Sequence, residues 1–219
     1  MFLSFCKSRS KKFDSVQDVW YTRLSLNVAK GAICSSELKR AVRVDWQRRN
    51  NFSLQVFGFD VSEPKRAKNI KANNPKLHPI FPLLLYGLTK KDCIKVVETE
   101  GIVIPEMYKL GFSNNNCFAT GCVQGGVGYW KKIQSEFPEK FDNMAKVEHE
   151  LTGLKGKPVT ILKDQSKEAE LTSIFKVFLK PHPDYPNHKS IDDMKGRPVE
   201  SLVECNGFCG VQGNLFNQL

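Results

Sequence analysis

GFSNNNCFATGCVQGGVGYW, residues 111–130, places three asparagines, two cysteines and five glycines in twenty positions. Asparagine caps and turns the backbone, and glycine lets it approach another group closely. Neither property accounts for two thiols in the middle of the stretch. The flanks are ordinary amphipathic sequence. Upstream, TKKDCIKVVETEG (89–101) predicts a helix capped by Thr89, with Asp92 at the third helical position and Gly101 as its stop. Downstream, a helix is expected over about 126–135, carrying Tyr129 and Trp130. PEKFDNMAKVEHEL (138–151) opens with proline in its first turn and spaces Phe141, Met144, Ala145 and Leu151 on one side.

Further out, residues 15–31 read as a helix with Val16, Val19, Trp20, Leu24 and Val28 on its apolar face, stopped by Gly31. SLQVFGFDV (53–61) reads as a buried strand, and EPKRAKNIKANNPKLHP (63–79), polar and broken by Asn and Pro, reads as loop. Residues 152–200 are richer in Gly, Lys and Pro, with KPHPDYPNHKS (180–190) the least regular part. Mixed α and β elements follow, and no internal repeat is visible.

A chain of 219 residues, 41% hydrophobic and 26% charged, has enough material for one sizeable core with an appended lobe. Apolar runs such as FPLLLYGL (81–88) are far too short to cross a bilayer, so no membrane partner is expected. The start, MFLSFCKSRSKKF, has its basic residues after a very short apolar piece, the wrong order for a secretory signal. A cytoplasmic location is therefore expected. Residues 1–76 hold 16 Lys and Arg against 6 Asp and Glu, while residues 77–219 hold 17 of each. All of the surplus of +10 is N-terminal, which suits either a face that meets polyanions such as nucleic acid or a solvated surface that maintains solubility.

Cys117 and Cys122 form C-x4-C in the Asn/Gly stretch, and Cys205 and Cys209 form C-x3-C in ECNGFCGVQG. Thiol pairs on tight turns can present convergent sulfurs to a metal, and Cys34 in GAICSSELKR is a further candidate ligand. The competing reading is that these cysteines pack as small hydrophobes. Cys93, beside Ile94 in a helix, belongs to that second class, and Cys6 lies near the terminus. His78, His149, His182 and His188 show no ligand spacing, and His149 reads as a helix-surface residue. Glu148 and Glu150 fall on different sides of their helix and make a poor acid/base pair. No catalytic residue is assigned.

The series CSSELKR (34–40), GFDVSEPKRA (58–67), FPLLLYGLTKKDCIKVV (81–97), GIVIPEMYKLGFSNNNCFATGCVQGGVGYWKKI (101–133) and FPEKFDNMAKVEHEL (137–151) resembles the phosphoadenosine phosphosulfate reductase family, within the adenine nucleotide alpha hydrolase superfamily. The resemblance runs in order over about residues 20–151. It implies a parallel-sheet α/β fold that binds ATP or a related adenine nucleotide and carries out sulfonucleotide reduction, sulfur transfer or adenylation. It places Cys34 and Lys39 in the family's Cys-x4-Lys element, Glu63 and Arg66 in its Glu-x2-Arg element near the nucleotide, and Cys117 and Cys122 in its second cysteine pair. Lys39, Glu63 and Arg66 are thereby candidate nucleotide or phosphate contacts. The implied cofactor is a [4Fe–4S] cluster, with zinc as the alternative, held by Cys34, Cys117, Cys122 and Cys205 or Cys209.

Two departures stand against the family pattern. Ser35 follows Cys34 where the cluster-bearing reductases have adjacent cysteines. The Ser-Gly-Gly-x-Asp-Ser phosphate loop is missing, and MFLSFCKSRSKKF has no glycine from which to build one. The expectation is a fragment in two regions: a truncated reductase-like α/β domain over 1–151, and a less regular extension over 152–219 that returns a cysteine pair to the site. A separate chain would then supply the N-terminal part. The alternative is a non-catalytic, metal-stabilised module that contacts nucleic acid through its basic N-terminal half.

Overall fold

The computed structural model describes residue 10 and residues 12–28, 31–112, 117 and 120–195. Helices alternate with three two-stranded ladders, two antiparallel and one parallel, so the fold is mixed α/β. The described residues fall into two compact units. One joins the residues up to Val42 to those from Met107 onward, and the other is Arg43–Glu106. No helix among the described residues is long and apolar enough to cross a membrane.

The first unit opens with α1 (Val16–Arg23), capped by Ser15, whose hydroxyl accepts the Asp18 N–H at 3.0 Å. The helix ends earlier than its apolar spacing suggests. Leu24 adopts the left-handed conformation with φ 44°, and the chain turns into a hairpin of β1 (Asn27–Val28) and β2 (Gly31–Ala32). Gly31, with φ 110°, therefore serves the hairpin and not a helix terminus. Next come α2 (Ile33–Ser35), a π-helical turn (Ser36–Arg40) and α3 (Ala41–Arg49), the last leading into the second unit.

The second unit contains β3 (Gln55–Val56), α4 (Pro64–Asn73), β4 (Pro79–Ile80), α5 (Pro82–Leu85) and α6 (Lys90–Thr99). β3 and β4 run parallel with Val56 opposite Ile80, and α4 is the crossover between them. The 63–79 stretch expected as loop thus contains a helix and a 3₁₀ turn, Pro75–Leu77. Its prolines open helical segments at the first position, where the missing N–H costs nothing, and Ala67, Ile70 and Leu77 are buried. Phe57, Phe59 and Phe81 stack with centroids 5.7–5.8 Å apart, and the Arg66 guanidinium lies 4.7 Å over Phe59. Val56 and Ile80, directly paired across the ladder, are 59% and 38% exposed. α6 begins with the expected capping box between Thr89 and Asp92.

The chain returns to the first unit through α7 (Glu106–Lys109), α8 (Val127–Glu136) and α9 (Pro138–Lys155), then β5 (Leu162–Lys163), α10 (Lys167–Thr172) and β6 (Lys176–Val177), with β5 and β6 antiparallel. Its core gathers Trp20, Met107, Tyr129, Trp130, Ile133, Phe141 and Leu151, all at most 1% exposed. α9 is tied to α1 by the Tyr21 hydroxyl on Glu150 and by Lys155 Nζ on the Leu24 carbonyl at 2.6 Å.

Glu148, on the inner side of α9, is wholly buried. Its Oε1 accepts the Ile161 N–H and its Oε2 the Leu179 N–H, each at 2.7 Å, so one carboxyl satisfies two backbone donors that would otherwise be stranded. Burial pushes its pKa up to about 8 against the opposing pull of the two N–H groups. Beside it, His149, His182, Tyr185 and His188 gather around Phe178, with His149 and His182 only 4.5 Å apart by centroid.

Candidate thiol site

Cys34 and Cys122 both belong to the buried core of the first unit. Cys34 enters on α2, directly after the hairpin; Cys122 follows the turn at Gly121. The Cys122 N–H donates to the Tyr129 hydroxyl at 3.0 Å. Burial raises the Tyr129 phenol well above its ordinary range, and negative charge on Cys122 or Cys117 raises it further, so both thiols lie within electrostatic reach of one hydroxyl. Cys117 itself is exposed.

The glycines of this stretch meet a steric demand. A Cβ added at Gly121, whose φ is 75°, would come closer than 3.0 Å to the Trp130 indole, and one at Gly125 would enter the Tyr129 ring. The backbone from Gly121 to α8 is therefore laid against two aromatic side chains that are completely buried. Asn27 fastens the same segment to the hairpin by donating its amide to the Val123 carbonyl.

Two buried polar atoms close in sequence to the thiols have no partner among the described residues, Ser35 Oγ next to Cys34 and Gln124 Oε1 two residues after Cys122; Trp20 Nε1, Asn27 Oδ1, Trp130 Nε1 and His188 Nδ1 are in the same condition elsewhere. Buried groups of this kind are ordinarily paired, so the two beside Cys34 and Cys122 suit a site that receives a polar or ionic occupant. The donor chemistry is that of a thiolate-held iron–sulfur or zinc centre. As placed, Cys34, Cys117 and Cys122 do not complete a ligand set, because among the described residues no three Cys, His, Asp or Glu side chains stand where they could share a metal. Cys205 and Cys209 lie outside the described residues.

Of the expected phosphate contacts, Lys39 is exposed in the π-helical turn of the first unit. Glu63 and Arg66 belong to the second unit and form an ion pair with each other. The histidine group went unread in the sequence because His149 is separated from His182 by more than thirty residues. Burial lowers the pKa of His182 and of His188; His149 lowers His182 further, and His182 lowers His188. The Asp184 N–H donates to His182 Nδ1 at 3.2 Å, which leaves the His182 proton on Nε2.

Comparison with protein-family models, with curated proteins and with solved structures found no match to this chain.

Proposed function

We propose that this chain is a thiol-centred protein of the phosphoadenosine phosphosulfate reductase type, acting on the sulfur or phosphoryl group of an adenine nucleotide within an adenine nucleotide alpha hydrolase-like fold. The observation that carries the reading is the association of two thiols, Cys34 and Cys122, with orphaned buried polar atoms on their own segments, Ser35 Oγ and Gln124 Oε1. The parallel β3–α4–β4 unit is the kind of element such a fold is built from. Cys34, Cys117 and Cys122, with Cys205 or Cys209, are proposed to hold a [4Fe–4S] cluster, with zinc as the alternative. When bound, the group would draw the cysteine-bearing segments together, and with four thiolate ligands either centre would carry net negative charge.

Anaerobic purification followed by iron, zinc and acid-labile sulfide analysis and visible absorption tests this. Bound iron with sulfide, lost in Cys34→Ser, Cys117→Ser and Cys122→Ser alike, is the expected result. A colourless protein with neither iron nor zinc would defeat the proposal.

A further inference from the structure

Half of the N-terminal charge surplus falls in the second unit, where residues 43–76 hold 8 Lys and Arg against 3 Asp and Glu. α4 exposes Lys65, Lys68, Lys71, Asn69 and Asn73 and turns Ala67 and Ile70 inward, and the exposed Lys76 follows in the 3₁₀ turn. Helix geometry agrees with this division, since steps of three residues keep the lysines on a slowly winding row with a rise of about 4.5 Å per step. The acidic residue at the helix start, Glu63, is taken by Arg66. Neither α4 nor the turn after it contains any other Asp or Glu. None of the four lysines forms an ion pair among the described residues, whereas Arg49, on α3 of the same unit, is paired with Asp45.

We infer that the outward face of α4 is a docking surface for the phosphate backbone of nucleic acid. The lysine spacing is on the scale of the charge repeat of a nucleic-acid strand, about 3.4 Å per phosphate along the axis. Asn69 and Asn73 add amide donors of the sort that bind phosphate oxygens. A lipid surface fits less well, because the face carries no apolar group beyond the Ala72 methyl and the Pro64 ring at its start, too little to insert below the headgroups. The surface is independent of the thiol site, so each can fail without the other.

The test is fluorescence anisotropy of the full chain with labelled 20-nucleotide single-stranded DNA, the matching RNA and a 20-base-pair duplex, from low to physiological salt. Log affinity should fall against log salt with a slope of about −2 to −4, as three or four neutralised phosphates require. The triple variant Lys65→Ala, Lys68→Ala, Lys71→Ala should weaken binding at least about tenfold at low salt and flatten the slope by roughly 2 to 3. Alanine is a strong helix former, so the variant keeps α4, which circular dichroism verifies. Substituting arginine at the same three positions should retain binding, and the control variant Lys91→Ala, Lys95→Ala on α6 should leave it unchanged. Absence of salt-dependent binding, or equal loss in triple and control variants, would overturn the inference. So would binding to phosphatidylserine vesicles without binding to any of the three nucleic acids.

Discussion

Replacing Glu148 by glutamine should change the sign of this protein's response to pH. The wild-type carboxyl is completely buried, and its pKa moves from an ordinary 4.5 to about 8 on folding. The folded chain therefore holds a proton that the unfolded chain has released between those two values. Stability contributed by that proton is fully present below pH 4.5 and is lost as pH rises towards 8. The loss is up to about 1.4 kcal/mol per pH unit inside the window, on the order of 5 kcal/mol in all. Glutamine does not titrate. It keeps one acceptor for the Ile161 or Leu179 N–H and turns an amide N–H₂ towards the other, at a cost of about 1–3 kcal/mol. The variant should thus be the less stable protein at pH 5 and should equal or exceed wild type at pH 8.5. Urea denaturation followed by tryptophan fluorescence reads this directly, because Trp20 and Trp130 are buried in the same unit. His182 and His188, whose lowered pKa values favour the folded state as pH rises, act in the opposite direction and are common to both proteins. The difference between the two curves isolates Glu148. A difference that stays constant from pH 5 to 8.5 would refute the reasoning.

Gly121→Ala and Gly125→Ala each drive a methyl into a buried aromatic ring and should destabilise by about 1–3 kcal/mol in a thermal melt, whereas Gly58→Ala, with open space around it, should be near neutral. The bare apolar pair on the parallel ladder should make the protein self-associate as its concentration rises; sedimentation velocity should show this, and Val56→Lys with Ile80→Lys should abolish it.

What the sequence revealed depended on how local each cause was. α6 was legible to its cap because Thr89 and Asp92 exchange their hydrogen bonds across three residues. α8 and α9 were legible because their buried residues recur at helical spacing. α4 was not, since only Ala67 and Ile70 face inward and its lysines, asparagines and flanking prolines carry the composition of a loop. Glu148 was placed correctly on a different side of α9 from Glu150, but its burial is decided by residues 161 and 179, and no pattern local to the helix announces them. The cysteine pairs were visible as spacings. That Cys34 and Cys122 share one core is tertiary information, carried by the hairpin and by the glycine turn against Trp130.

The π-helical turn at Ser36–Arg40, where the Ala41 N–H reaches back five residues to the Ser36 carbonyl, works as a phase shifter. One additional residue in a helical turn advances every later side chain by about 100° relative to an unbroken α-helix. The azimuth on which Ala41 and Val42 project at the start of α3 is thus offset from the one that the position of Cys34 would dictate through a continuous helix. Deleting a single residue from this turn would remove the offset while leaving the hydrophobicity profile almost untouched, and it would re-aim Ala41 and Val42 against the first unit without changing either residue.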